Sequence, residues 1–307
     1  MLDVNLSAYY PIAGQARDII GASYAAREQW RTSFLADFFP ETARLPVLTN
    51  RMSVPDVEAL LTANPNIVVA AGGLGGSLEP FGFRELVELR PDAVHSERSK
   101  LAIWRKLGAL AGRPQQTEAL LETFYVRARA NAVRGREAGP LKPTRVAVIF
   151  VVGDLWRVGG RNFFLNDALT AATGQNVSAG AATYPIVNAE SLLLLDPDVL
   201  LLNSAPEDHH FPEEFYAAPE WQALRAVRER RVYKIPALAY LRGPVEEPLL
   251  IRWFVEVFHP GAMEPELRQM VRATYANLYH YEMRDDEIDA LIFLRQNLGS
   301  ADYARFA

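Results

Sequence analysis

Four potential metal ligands stand in a row at Glu207-Asp208-His209-His210. Adjacent side chains project in different directions, so this spacing does not converge four donors on one ion. The stretch is bounded by Pro206 and Pro212 and reads as a solvated loop, not a metal site. Gly72-Gly73-Leu74-Gly75-Gly76 offers a second candidate, a phosphate cradle. Counted from Gly73, however, the last position of Gly-x-Gly-x-x-Gly falls on Leu78, and Pro80 follows. Dinucleotide binding is not supported; a loop that lets a ligand approach the backbone fits better. There is no nucleophile elbow, no His-Glu-x-x-His and no carboxylate pair spaced for catalysis. The chain contains no cysteine, which excludes disulfides, Cys-ligated zinc, a Cys nucleophile and a lipidated N-terminal Cys within it. The expectation is a protein without catalytic residues, cofactor or protein-ligated metal; ligation of a haem iron by Tyr or His stays open.

The remaining polar chemistry is aromatic and cationic, and it sits in segments expected to follow strands. Ser23, Tyr24, Arg27, Gly72–Ser77 and His95–Arg98 belong to the first half of the chain. Trp156, Arg157, Arg161, Tyr184, Asn203, Ser204, Tyr240 and Arg242 belong to the second. Aromatic rings stack on a planar ligand, and guanidinium groups neutralise its oxygens, often with two hydrogen bonds at once. Each has a structural alternative: Tyr184 and Tyr240 as core tyrosines with a wet hydroxyl, Arg27 as a solvated helix residue, Arg242 as the brace of the Gly243-Pro244 turn. Ligand contacts are expected at Tyr24, Arg27, Trp156, Arg157, Arg161, Tyr184, Tyr240 and Arg242.

A repeated unit positions much of this. Glu58-Ala-Leu-Leu-Thr-Ala-Asn-Pro65 and Glu190-Ser-Leu-Leu-Leu-Leu-Asp-Pro197 share the pattern Glu-x-Leu-Leu-x-x-x-Pro, each followed by an apolar strand that opens on a β-branched residue, Ile67 or Val199. Both read as a short helix stopped by proline and then a buried strand. Ser53 is the expected N-cap of the first. Glu58 and Glu190 lie in the first helical turn, where a carboxylate complements the helix dipole.

Between the copies runs Arg113–Ala138, expected as one uninterrupted helix with Leu120, Phe124, Ala128 and Ala132 on a stripe and Leu121 and Tyr125 beside it. At ~1.5 Å per residue it would span roughly 39 Å, enough to connect two lobes. Before it, the pattern predicts a buried strand at Asp18–Ala22, a helix at Arg27–Phe39, a helix-to-strand unit at Glu85–Val94 and a helix at Leu101–Leu110. After it come a continuous apolar strand at Arg145–Val152, a loop at Gly153–Gly160 and a helix at Phe163–Thr173. Further helices are expected at Trp221–Glu229, Pro248–Phe258, Glu264–Tyr281 and Asp285–Asn297, with a strand at Arg231–Ile235. Strands alternating with helices predict an α/β fold with parallel sheets. The division is an N-terminal lobe at 1–112, a rigid connector at 113–139 and a C-terminal lobe at 140–307, leaving open whether the last helices pack back at the hinge. A ligand cleft is expected between two Rossmann-like lobes, at the carboxyl ends of their strands.

Composition limits the partners. With 307 residues, half of them hydrophobic, the chain can bury a large core, and its net charge of -5 with no basic run excludes a nucleic-acid partner. No apolar run reaches the length of a membrane span, and Met1–Gln15 lacks the basic-then-apolar pattern of a signal peptide.

Taken together, VEALLTANPNIVV, VNAESLLLLDPDVLLL, WQALRAVRERRVYKIP, WRVGGRNFFLNDALTAATGQNV and the connector resemble the class III periplasmic substrate-binding proteins of ABC importers, over roughly residues 17–282. The start, MLDVNLSAYYPIAGQ, departs from that family, which opens with a full strand and a short acidic helix. The resemblance implies an exported or periplasmic, soluble, monomeric protein that binds a small-molecule metal chelate, foremost an iron–siderophore complex, and delivers it to a permease dimer with its ATPase. Within the family, molybdate or tungstate, a corrinoid or haem are the alternatives; outside it, a two-lobed enzyme resembling metal chelatases. The resemblance also implies that Glu58 and Glu190 dock on arginines of the permease.

Overall fold

The computed structural model describes residues 6–14, 17–31, 40, 44–50, 54–71, 75–83, 85–89, 92, 95–133, 141–152, 155–203, 209–238 and 246–307. The chain divides into two compact units. The first comprises Met1–Asp92, Arg98–Glu122 and Leu241–Pro244; the second Ala93–Glu97, Thr123–Tyr240 and Val245–Ala307.

In the first unit, strands β1 (Val68–Ala71) and β2 (Leu86–Leu89) pair in parallel, Val68 opposite Leu86. Leu48, Leu60, Val68, Ala70 and Leu78 form the core beneath them. The Glu85–Val94 expectation is corrected here. Leu86–Leu89 is strand, not helix, because it completes a parallel ladder that β1 offers, and the helical turns that precede it lie at Gly75–Leu78 and Glu79–Phe81. Asp18–Ala22 is not a strand either. Ala22 makes one isolated parallel bridge to Val47, and Ile20 is exposed. The segment Leu6–Ala13 is a helix that buries Tyr9 and Ile12. The expected helix at Arg27–Phe39 is described only as Tyr24–Arg31; residues 32–39 lie outside the described residues. Helix Glu97–Leu110 lies against the start of the next helix so closely that a Cβ on Gly108 would sit 2.2 Å from Thr117 Oγ1. The two are clasped outside by a forked pair of hydrogen bonds from Arg105 to Glu118, at 2.6 and 3.0 Å.

The connector is helical from Pro114 to Ala132 but not uniformly α. Pro114–Leu120 and Ala128–Ala132 are α-helical, and Leu121–Arg127 between them is a π segment. The reason lies in the four-residue apolar spacing. On an α-helix a strict repeat of four drifts by about 40° per step, since 3.6 residues complete a turn. A wider turn drifts the other way and keeps the stripe on one face. The buried stripe is accordingly Thr117, Leu121, Tyr125 and Ala132; Leu120, Phe124 and Ala128 are half-buried. Residues 134–138 of the expected helix lie outside the described residues.

The second unit holds a five-stranded sheet. β3 (Thr144–Val152) is central, and β6 (Val199–Leu202) and β7 (Val232–Lys234) follow it in parallel on one side. On its other side its first residues pair in parallel with β5 (Gly174–Asn176), its last in antiparallel with β4 (Leu155–Val158). Val146–Ile149 and Val199–Leu202 are essentially inaccessible, as expected of apolar strands covered on both faces. The loop expected at Gly153–Gly160 is thus corrected: four of its residues form the β4 edge strand. The Phe163–Thr173 helix is shorter than expected, at Asn166–Ala171. The helix expected at Trp221–Glu229 is a 3-10 turn at Pro219–Trp221 and a helical turn at Arg225–Arg228. Helix Glu247–Phe258 is buried along its length, with Trp253 Nε1–H donating to Tyr303 Oη at 3.0 Å. Helix Leu267–Tyr279 follows it, and the last expected helix is split at Phe293, which takes a left-handed conformation between Asp285–Leu291 and Leu294–Asn297.

Candidate functional site

The two copies of the helix–proline–strand unit match residue by residue. Helix Val57–Ala63 is capped by Asp56, whose Oδ1 accepts from Ala59 N–H at 3.0 Å. The expected cap, Ser53, lies outside the described residues, and Asp56 fills the role. Helix Ala189–Leu195 is capped by Asn188, which accepts from Ser191 N–H at 2.9 Å and donates its own N–H to Ser191 Oγ at 2.8 Å. Each helix ends on a left-handed residue, Asn64 (φ 48°) and Asp196 (φ 41°), just before Pro65 and Pro197. Asn and Asp tolerate that conformation, and proline cannot continue the helix. Glu58 and Glu190 occupy the same place in the first turn, and both are exposed.

In the second unit, Trp156, Arg157, Arg161 and Tyr184 come together around β4. Asn176 holds this region in place. Its Nδ2 donates to Gly159 O and to Asn166 Oδ1, both at 2.7 Å, while Asn166 donates to Gly160 O at 3.1 Å. The 178–187 segment runs alongside: Val158 N–H donates to Pro185 O and Gly160 N–H to Thr183 O. Gly160 is required there, since a Cβ would lie 2.0 Å from Ala182 O.

Alternation along β4 sends neighbours to opposite faces of the sheet. Trp156 and Val158 join the core on one face. There Trp156 meets the rings of His210 at 4.7 Å, Phe215 at 5.4 Å and Trp221 at 6.0 Å. Arg157 lies opposite Phe150 on the other face. Its Nη1 donates to Tyr184 O at 2.7 Å. The Tyr184 ring, 44% exposed, stands edge-on to Phe150 at 5.5 Å and Phe163 at 6.3 Å. Arg161, exposed, reaches Gly180 O at 3.0 Å. The local surface is therefore an exposed phenol backed by two phenylalanines, with the Arg157 guanidinium on the Tyr184 carbonyl and Arg161 on the same 178–187 segment, at Gly180. Each guanidinium uses one nitrogen on a backbone carbonyl and has no other partner among the described residues. Trp156 is separated from this surface by the sheet.

In the first unit, Ser23 Oγ accepts from Ala26 N–H at 3.1 Å and starts helix Tyr24–Arg31, and Tyr24 N–H donates to Thr49 Oγ1 at 3.0 Å. Arg27 Nε is buried with no hydrogen-bond partner among the described residues, as is Asn203 Oδ1 at the end of β6 in the second unit. Tyr240, Arg242, Ser204 and Gly72–Leu74 lie outside the described residues. Among the described residues no group of three or more His, Asp or Glu could hold a metal. His210 Nδ1 instead pairs with Glu214 Oε2 at 2.7 Å, at the start of helix Pro212–Ala217. Phe150, Phe163 and Thr49 escaped the sequence reading because they lie inside strands or beside turns and act only through what they support.

A family model described as periplasmic binding protein matches residues 12–239, about three quarters of the sequence. The chain belongs to the periplasmic binding protein family. The family resemblance carried by the two helix–proline–strand segments, WQALRAVRERRVYKIP, WRVGGRNFFLNDALTAATGQNV and the connector is borne out. Solved structures agree in fold. A periplasmic solute binding protein from Veillonella parvula superposes with a TM-score of 0.77 at 21% identity, covering 95% of this chain and 90% of that one. The molybdate periplasmic binding protein MolA of a Haemophilus influenzae ABC transporter, bound to molybdate, gives 0.75 at 16% identity, with 92% of each chain covered. The periplasmic heme-binding protein RhuT from Roseiflexus sp. RS-1 gives 0.68 at 19%, over 85% of this chain and 97% of that one. Among curated proteins no relative matches the chain. The fold of this family member is α/β with predominantly parallel sheets, as expected. Among the described residues no helix is long and apolar enough to cross a membrane.

Proposed function

We propose that this family member is the substrate-binding component of an ABC importer and that it takes an anionic, oxygen-rich metal chelate, with an iron–siderophore complex the foremost candidate. The observation that supports this most is that Arg157, Arg161 and the exposed Tyr184 ring all belong to β4 and the 178–187 segment alongside it, Arg157 on Tyr184 O and Arg161 on Gly180 O. Two guanidinium groups neutralise carboxylate, catecholate or hydroxamate oxygens, and the phenol gives a flat flank for the ligand. Tyr24, Arg27, Tyr240 and Arg242 are proposed as further contacts, Arg27 because its buried Nε has no hydrogen-bond partner among the described residues. Trp156 contributes by holding β4 against the core. The protein performs no chemistry on the ligand. It works in the periplasm or otherwise outside the cytoplasm, as a monomer, and hands the ligand to a permease dimer that Glu58 and Glu190 engage through salt bridges.

Thermal shift and tryptophan fluorescence against ferric hydroxamate, catecholate and citrate complexes, haem, cobalamin and molybdate test the reading; the five tryptophans give the signal. One ligand at 100 times its dissociation constant should stabilise the fold by about 2.7 kcal/mol. Arg157→Ala and Arg161→Ala should each weaken that ligand about tenfold, the loss of ~1.4 kcal/mol from a charge-assisted bond. Preference for haem or cobalamin with no effect of either arginine would move the site elsewhere; no shift with any ligand would contradict the reading.

A further inference from the structure

Among the described residues, five exposed large hydrophobic side chains fall in or just before the two repeated helices: Val54, Leu61, Ile186, Leu193 and Leu194. Leucines on short helices that cover a sheet ordinarily face inward, and Leu60 and Leu192 do so completely. The next residue in each copy does not: Leu61 is 55% exposed and Leu193 45%, at the same position of the repeat. Each lies three residues after the docking glutamate, on the same helical face. At the fourth position the first copy has Thr62 and the second has Leu194, which at 88% is the most exposed large hydrophobic side chain among the described residues. The coincidence extends upstream. Val54 and Ile186, each four residues before the glutamate, are also more than half exposed. A single exposed leucine is ordinary. Exposed apolar residues in equivalent positions of two separate units, each beside the same carboxylate, are a repeated device.

We infer that Leu61, Leu193 and Leu194 are apolar anchors of the docking surface, seated in hydrophobic sockets of the permease beside the cations that meet Glu58 and Glu190. The inference rests on the docking role proposed above for the two glutamates. The repetition argues for the occupant: two equivalent anion-plus-apolar patches fit a partner that presents the complementary cation-plus-socket twice, as a pair of permease subunits does. Rim carboxylates set orientation and salt dependence, whereas buried apolar anchors slow dissociation. The Leu194/Thr62 difference makes the two halves unequal, with the second unit holding more tightly.

The test measures binding of the full-length protein to its ABC transporter in nanodiscs by biolayer interferometry, at two salt concentrations. The variants are Leu61→Gln, Leu193→Gln with Leu194→Gln, Glu58→Gln with Glu190→Gln, and Leu298→Gln as a control in an exposed leucine outside the repeat. The leucine variants should dissociate about tenfold faster, the second-unit pair more than Leu61→Gln, with the salt dependence kept and ligand affinity unchanged. The glutamate pair should lose the salt dependence. If the glutamate pair weakens binding and the leucine variants do not, the anchor inference is wrong and the docking reading stands. If neither does, the docking reading itself fails. An equal effect of Leu298→Gln would also overturn the inference. So would binding to empty nanodiscs, or a dimer in sedimentation, that the leucine variants abolish, because the surface would then serve lipid or a second copy.

Discussion

The two copies of the helix–proline–strand unit share a cap, a glutamate, a left-handed stop and a proline, yet they are embedded differently. In the second unit the strand that follows lies inside a five-stranded sheet with all four residues buried. Its turn is fastened by two arginines: Arg225 pairs with Asp198 at 2.6 Å and with Asp196 at 3.1 Å, while Arg145 donates to Leu195 O at 2.6 Å and Asp196 O at 3.1 Å. In the first unit the strand has one described partner, β2, and Leu60 lines a cavity of about 250 Å³ with Tyr9, Ile19 and Val68. Local sequence thus sets local conformation in both places, and the surroundings set how firmly it is held.

The largest test of that difference is truncation of the paired core leucines. Leu192→Ala should cost about 3–5 kcal/mol by denaturant unfolding, since its close-packed site cannot collapse. Leu60→Ala should stay near 2 kcal/mol, because its site already borders open space. Equal losses would break the comparison.

A pH-dependent difference comes next. Glu246, at the start of the buried Glu247–Phe258 helix, is wholly buried, and burial pushes its carboxyl up to about 7 although Tyr279 donates a hydrogen bond to it. A folded-state value above the unfolded one, near 4.5, means the folded protein binds the extra proton. Stability in the second unit should therefore be greatest below about pH 4.5 as far as this group is concerned, and fall by roughly 3 kcal/mol as pH rises through 7. Glu246→Gln should flatten that dependence and stabilise the protein at pH 8; an unchanged pH profile would show that this carboxyl does not control it.

The smallest effects belong to the caps. Asp56→Ala and Asn188→Ala should each cost about 1 kcal/mol, with Asn188 the more costly because its cap is reciprocal. Hydrogen exchange confined to the affected helix would read this directly.

How much was legible follows the same contrast. β3 and β6 stood out in the sequence because strands covered on both faces are continuous apolar runs. The paired glutamates stood out because each opens the same Glu-x-Leu-Leu-x-x-x-Pro pattern, whose proline stops the helix. β4 was missed although Gly153-Asp154, between two apolar runs, is a hairpin signal. The short Leu86–Leu89 strand was read as part of a helix-to-strand unit, since four residues carry too little periodicity and only β1 decides the matter. Asp18–Ala22 carries a strand's composition without a ladder to join. The π segment was illegible as such, yet its cause, an apolar repeat of four, was in plain view. At the candidate site, residue types were readable but sides were not: Trp156 and Arg157 are neighbours in sequence and lie on opposite faces.

We propose that one unit, used twice, presents one carboxylate from each half of the protein to a single partner. The most direct test is the affinity of Glu58→Arg, Glu190→Arg and the double variant for the reconstituted transporter, with ligand affinity measured alongside. Each single reversal should weaken the complex at least tenfold, the double variant should be weaker than either, and ligand binding should be untouched. Full affinity in either single variant would contradict it.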